Sequence, residues 1–506
     1  MHKPTIVNLS NADALDLIAQ LVDQAFDDAD LARADHSLSL ADELEERKLQ
    51  PPEMSLLDYY RANAWACRYQ QRLGDRAAVW DFEQPEVHQQ VFLLRRAANS
   101  SGFAEMDAIR RCQILTNLGN QLDTLGRFVE ARAYRSAVLA IDPNFWMARA
   151  NRGRGLMHYA AALYDPGHSE IFALHAYRDL VEAVALIDKY PHLGDHRLIS
   201  HFSQSAEQIA LHFDVEGIGK AYKPDSWDMG AEPMERAYRR WCLDNILFLN
   251  PLNDVEKASV AAHDIMSLPN FITAINEPPI VTGMFNELKQ GFASARWMLW
   301  EGINSGEPHF SDREVLLYNT LDYPSYGLSV EKVKIAFRMT YSILDKIAYF
   351  LNHYLALSIP EKRVSFRTIW REKDNGPVRD RFAKSENWPL RGLFWLSKDL
   401  FEENMRDSTE PEARALAELR HHLEHKYVKV HEWLPPSIPA DDPFRDTLAY
   451  AITRSDLEQR TLRLIQLVRS ALIYLSLGMH REERAKDDKS LMATMSLDPV
   501  CDEWKR

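Results

Sequence analysis

Between Ala415 and Tyr427 the chain reads Ala-Leu-Ala-Glu-Leu-Arg-His-His-Leu-Glu-His-Lys-Tyr, its densest concentration of groups able to move protons or hold anions. Histidine exchanges protons near neutral pH, and arginine keeps its charge while offering a planar fork of donors that fits phosphate oxygens. Such a pair suits phosphodiester cleavage in RNA. There the ribose 2′-OH must lose a proton, charge on the pentavalent phosphate must be stabilised, and the departing 5′-oxygen must gain a proton. The spacing is Arg-x4-His, from Arg420 to His425, with His421 directly after the arginine. A second spacing overlaps it. His421 and His425 stand four apart with Glu424 before the second, so both imidazoles share a helical face that fits a zinc ion, with Glu424 as base.

A helix must present these groups. At about 100° per residue Leu416, Leu419 and Leu423 form one apolar stripe, and Arg420, His421, Glu424 and His425 fall on other faces. The pattern predicts a helix over 411–431, ended by Pro435, Pro436 and Pro439, because consecutive prolines remove donors and clash with a continuing helix. Arg420 and His425 are five apart and point roughly 140° apart on a straight helix. Both serve one pocket only if the helix bends or a second copy contributes. The zinc spacing is the short motif of inverted zincin proteases. That chemistry needs a third ligand on a downstream helix and an α/β scaffold, whereas the surrounding sequence reads as helices, so no metal or cofactor is assigned.

Long helices are predicted at 329–357 and 446–477 on either side. The first carries Asp345, Lys346 and Asn352 among apolar residues, and buried polar groups cost free energy unless paired. Between them, 362–398 is locally basic, with ten lysines and arginines against four acidic residues. Arg367, Arg371, Arg379 and Arg381 are candidate RNA contacts, interleaved with Trp370, Phe382, Trp388 and Trp395 as a stacking and phosphate-binding surface requires. The bland reading is a charged face over an aromatic core.

From Asn11 to about Phe213 the chain reads as successive amphipathic helices with short polar breaks. Its clearest unit, 114–143, resembles a tetratricopeptide (TPR) repeat. Leu118 and Gly119 sit where two helices approach closely, Gly126 lies in the turn, Ala131 packs between helices and Pro143 ends the second one. Arg135 and Val138 depart from the pattern, which prefers an aromatic and an alanine there. Glycines and prolines from Gly217 to Pro233 mark a boundary, and Asn250 to Asn253 a turn that pins the connector to its neighbours. The divisions are 1–220, TPR-like helices; 221–325, a helical connector; 326–485, a helical bundle; and 486–506, a tail.

Apolar content of 46% excludes a mainly disordered chain. A net charge of −14 disfavours nonspecific coating of nucleic acid by the whole surface, so any RNA site is a local patch. Four widely separated cysteines give neither a disulfide framework nor a cysteine zinc site. The opening residues carry no secretory pattern and no stretch approaches about 18 apolar residues, so no membrane partner is expected and the chain reads as cytoplasmic.

The Arg420-x4-His425 spacing on a late helix, with the stretches 239–254, 344–352 and 419–427, resembles HEPN-domain ribonucleases, and the front resembles the HEPN subfamily bearing helical repeats. The resemblance implies an all-α chain in which an irregular TPR-like solenoid precedes a HEPN-type bundle. It implies a homodimer whose paired Arg-x4-His helices cut RNA without metal, by 2′-OH attack that leaves a 2′,3′-cyclic phosphate. Arg420 and His425 are then the catalytic pair, His421 the flanking polar position and Asp345 the acidic residue of the first bundle helix. Glu424, Lys426 and Tyr427 are supporting neighbours. A protein or peptide regulator at the repeats and a toxin or antiviral defence role accompany this reading. The competing expectation is a noncatalytic TPR/HEPN-like protein that binds peptide or RNA.

Overall fold

The computed structural model describes residues 4–74, 78–190, 196–271, 277–373, 376–402, 411–434, 446–486 and 497–505. Pro435 to Pro439, the expected stop of the key helix, and the start of the expected tail helix at Ser490 lie outside them. The chain is all-α, with two four-residue strands among the described residues.

The front comprises α1 (Asn11–Asp27), α2 (Leu31–Glu45), α3 (Pro51–Arg72), α4 (Pro85–Asn99), α5 (Ala108–Thr124), α6 (Phe128–Ile141), α7 (Trp146–Ala162), α8 (Pro166–Lys189), α9 (Arg197–His212) and α10 (Val215–Ala221). Side-chain caps set several starts. Ser10, Asp30, Asp107 and Asp165 each accept a hydrogen bond from the backbone N–H three residues on, satisfying donors the helix leaves free. From α1 to α9 the helices adjacent in sequence pack side by side, and α10 packs on α8. Gly119 lies against the Ala131 carbonyl at a distance a Cβ would reduce to 3.1 Å, and Arg135, buried, pairs with Asp123 at 3.1 Å.

A connector follows, with α11 (Pro233–Asp244) and α12 (Leu252–Val255). Its turn is buried and self-satisfied: Asn253 accepts from Phe248 N–H and donates to the Leu243 carbonyl, and Asn250 accepts from Leu252 N–H. The remaining helices are α13 (Ile280–Asn304), α14 (Leu328–Tyr354), α15 (Asp380–Ala383), α16 (Trp388–Phe401), α17 (Pro411–His425) and α18 (Arg454–Arg484). Both α13 and α14 pack on α18, as do α16 and α17. By length and composition α18 could cross a membrane, which corrects the expectation that no stretch approaches a span. However, 83% of its apolar window is buried, as in a bundle's central helix covered on every side.

The key helix is shorter than its pattern suggests. It stops at His425, and Val428–His431 forms β1, paired in parallel with β2, Tyr450–Thr453. The alternating Val428 and Val430 suit a strand, where β-branched side chains are less crowded than in a helix. The last helix correspondingly starts at Arg454, capped by Thr453, and Leu448 is exposed rather than in its core stripe.

One contiguous apolar core joins the front helices to the bundle. Polar bridges cross the same boundary. Arg95 grips Asp399 through both carboxylate oxygens at 3.0 and 2.9 Å, and Arg127 donates to Asp399 and to Glu130. Tyr474 of α18 donates to Glu130 and accepts from Val129 N–H at 3.1 Å. Arg469 binds Asp254 at 2.8 Å, whose other oxygen accepts from Tyr159 at 2.9 Å. Burial alone would raise the Asp399 pKa, but Arg95 and Arg127 outweigh it and hold the carboxyl below its ordinary value. Gly126, at φ +87°, makes the turn between α5 and α6 and also meets α16, where a Cβ would stand 2.1 Å from the Trp388 carbonyl oxygen.

Candidate active site

Leu416 and Leu419 bury the inner face of α17 against α14, α16 and α18, and Leu423 packs at the margin. This fixes the opposite faces. Arg420 is half-buried, its guanidinium carbon 4.4 Å from the centre of the Tyr341 ring. Its Nε lies 3.2 Å from Glu424 and an Nη 3.7 Å from Asp345. Burial opposes the charge, but Tyr341, Glu424 and Asp345 together raise the Arg420 pKa above its ordinary value. Although Nε and Glu424 are within ion-pair distance, their geometry leaves Nε without a hydrogen-bond partner, and the Asp345 contact is too long for one. The charge is balanced, Nε is enclosed, and among the described residues the partly exposed Nη groups make no hydrogen bond.

Asp345 is itself anchored, accepting from Phe366 N–H at 3.0 Å. Of the other polar residues on α14, Lys346 pairs with Glu287, while Asn352 donates to the Ile359 carbonyl and accepts from its N–H. Asp345 alone of these three reaches Arg420.

His425 is exposed, 3.8 Å from Glu424, and its ring centre lies 5.4 Å from that of the exposed His421. His422 turns elsewhere, bonding the Glu418 carbonyl and approaching the Tyr450 ring. Among the described residues no three His, Cys, Asp or Glu side chains gather as metal ligands, so the third ligand of the zinc spacing is not in place there. Lys426 is exposed, and Tyr427 donates to Asp446. Asp446, together with Asp322, holds the buried Lys429 at 3.0 and 2.6 Å, and the pair of acids outweighs burial to push Lys429 up to about 12.

The basic stretch divides. Trp370, Phe382 and Trp395 are buried in the core, and Trp388 stacks on Phe128 while donating to the Asp123 carbonyl, so these rings are no stacking platform for bases. Arg371 pairs with Glu83 and Glu402, Arg379 with Glu372, and Arg381 with Glu482. Arg367 is exposed and has no acidic partner among the described residues. Tyr341, Lys429, Asp322 and Asp446 were not singled out from the sequence. The signal for Tyr341 was its i,i+4 spacing to Asp345, which puts both on one face of α14.

A family model described as LA2681-like HEPN matches residues 272–482, a span that includes every residue of this cluster. The chain matches no curated protein and no solved structure. The matched span takes in α13, which packs along α14 as part of the bundle. Residues 272–482 are therefore similar to an LA2681-like HEPN domain, of a family that includes ribonucleases, and a helical region precedes them.

Proposed function

We propose that this chain is a metal-independent endoribonuclease acting as a homodimer through its C-terminal bundle. Arg420 binds the scissile phosphate, and His425 exchanges protons with the 2′-OH or the leaving 5′-oxygen, yielding a 2′,3′-cyclic phosphate. The observation that carries the reading is a half-buried arginine whose charge is balanced by Asp345 and Glu424, five residues before an exposed histidine. Arg367 is the first of the four candidate arginines to meet RNA, since Arg371, Arg379 and Arg381 must first leave carboxylate partners. The front helices bind a protein or peptide regulator, for which the open groove lined by Tyr177, Arg178, Glu216 and Lys220 offers mixed charge beside an aromatic ring. Cytoplasmic toxin or antiphage defence activity fits a regulated RNA cutter.

A second reading is a noncatalytic HEPN-like module that binds RNA or peptide. Its support is the same pair of carboxylates, which already neutralise Arg420. Incubating the purified full chain with single-stranded RNA in EDTA separates the two. Cleavage that falls about 10²–10³-fold in Arg420→Ala and in His425→Ala is expected. Cleavage unchanged in both variants rejects the assigned pair, and RNA binding without cleavage establishes the second reading.

A further inference from the structure

The connection between α13 and α14 displays an apolar segment, Val315-Leu316-Leu317-Tyr318, with Leu321 and Tyr323 beside it. Exposure along the four residues alternates, 55, 76, 55 and 77%, the two-residue period of an extended strand with one face more open. Among the described residues no hydrogen bond reaches the backbone of 315–318. The flanks are fixed. Both Asp312 carboxylate oxygens accept from Leu328 N–H at 3.1 and 3.0 Å, Ser325 N–H donates to the Val430 carbonyl at 2.6 Å, and Asp322 holds Lys429. Glu314, Leu321 and Tyr323 all have positive φ, at 64°, 70° and 51°, a conformation nonglycine residues keep only when their surroundings impose it.

We infer that residues 315–318 are the docking strand for a second copy of this chain, pairing with the same segment about a two-fold axis. The inference rests on the proposed function, in which Arg420 and His425 diverge from one helix and the site is incomplete without another copy. Ser325 and Asp322 tie the segment's C-terminal flank to β1, which begins three residues after His425, so the segment is anchored to the element that continues from the helix of Arg420 and His425. The stretch 310–326 holds Asp312, Glu314 and Asp322 against Arg313, a balance that disfavours RNA or an anionic bilayer as occupant. Antiparallel pairing about a two-fold axis at Leu316 sets Leu316 opposite its own copy, Val315 opposite Leu317, Glu314 opposite Tyr318 and Arg313 opposite Asn319. No like charges then face each other, and each backbone gains the hydrogen bonds it lacks.

Sedimentation equilibrium of the full chain tests this, comparing wild type with Leu316→Asp/Tyr318→Asp, exposed positions at which the core is untouched. The wild type is expected to dimerise at micromolar concentration and the double variant to associate at least about tenfold more weakly. In a Cys501→Ser background, which removes the exposed thiol, Leu317→Cys is expected to cross-link to itself with a short bis-maleimide. A monomeric wild type, one that instead floats with neutral phosphatidylcholine vesicles, or a double variant that dimerises with wild-type strength overturns the inference. A wild-type dimer weakened by the double substitution supports it whether or not RNA is cut. Failure of that dimer to cut RNA counts against the ribonuclease reading alone.

Discussion

Arg420 owes its position to three neighbours that do different work. Tyr341 supplies a ring face, Glu424 balances charge from within α17, and Asp345 balances it from α14 while its own orientation is fixed by Phe366 N–H. Asp345→Asn keeps an oxygen for that N–H but removes the negative charge. The expected result is an unaltered fold and about tenfold slower RNA cleavage. If the rate is unchanged, Asp345 is not a positioning residue. Arg420→Lys should lose nearly as much activity as Arg420→Ala, because a point charge does not reproduce the planar donor fork; full activity in the lysine variant would contradict phosphate recognition through that fork. At this scale residue type and spacing single out Arg420 and His425, the family resemblance singles out Asp345, and the fold sets Asp345 beside Arg420. Tyr341 was not legible, because an aromatic on an apolar helical stripe reads as core until the structure shows what lies over its face.

The helices themselves were legible because amphipathic periodicity survives in single elements, as the buried stripe of Leu416 and Leu419 illustrates. The two strands were not. Four residues are too few for a two-residue period to stand out, and β1 meets β2 across a connection whose pairing no local pattern announces. The basic stretch was ambiguous for a related reason: tryptophan interleaved with arginine serves a base-stacking surface and a core edge equally well, and burial decided for the core. Gly126 was read as a turn glycine, but its second role, contact with Gly392 of α16, depends on residues far away in sequence. A Cβ on Gly392 would lie 2.2 Å from the Gly126 carbonyl oxygen, so Gly392→Ala should destabilise the chain by at least about 2 kcal/mol in chemical denaturation. A variant as stable as the wild type would show that the α5–α6 turn and α16 do not press together in solution.

Across the whole molecule, front and bundle share a core and a buried ion-pair system centred on Asp399. Asp399→Asn leaves Arg95 and Arg127 facing a neutral amide and should cost about 3–5 kcal/mol at neutral pH. Because the native pKa is depressed, this stabilisation is present above the unfolded carboxyl value of about 3.9 and is lost as pH falls through the lower native value. The gap between wild type and variant should therefore narrow in acid; a gap independent of pH would point to packing instead. Removing residues 1–220 strips Arg95 and Arg127 from Asp399 and Glu130 from Tyr474, so the remainder should be insoluble or misfolded, and a soluble helical remainder would contradict the shared core. Any control by the front helices thus passes through a continuous interior rather than across a detachable domain. The central claim is that this molecule breaks RNA by 2′-OH attack at Arg420 and His425. End-group analysis of fragments made by the intact wild-type chain in EDTA tests it most directly. The account predicts 2′,3′-cyclic phosphate and 5′-hydroxyl ends, absent with Arg420→Ala and His425→Ala; fragments ending in 3′-hydroxyl and 5′-phosphate, or uncut RNA, would contradict it.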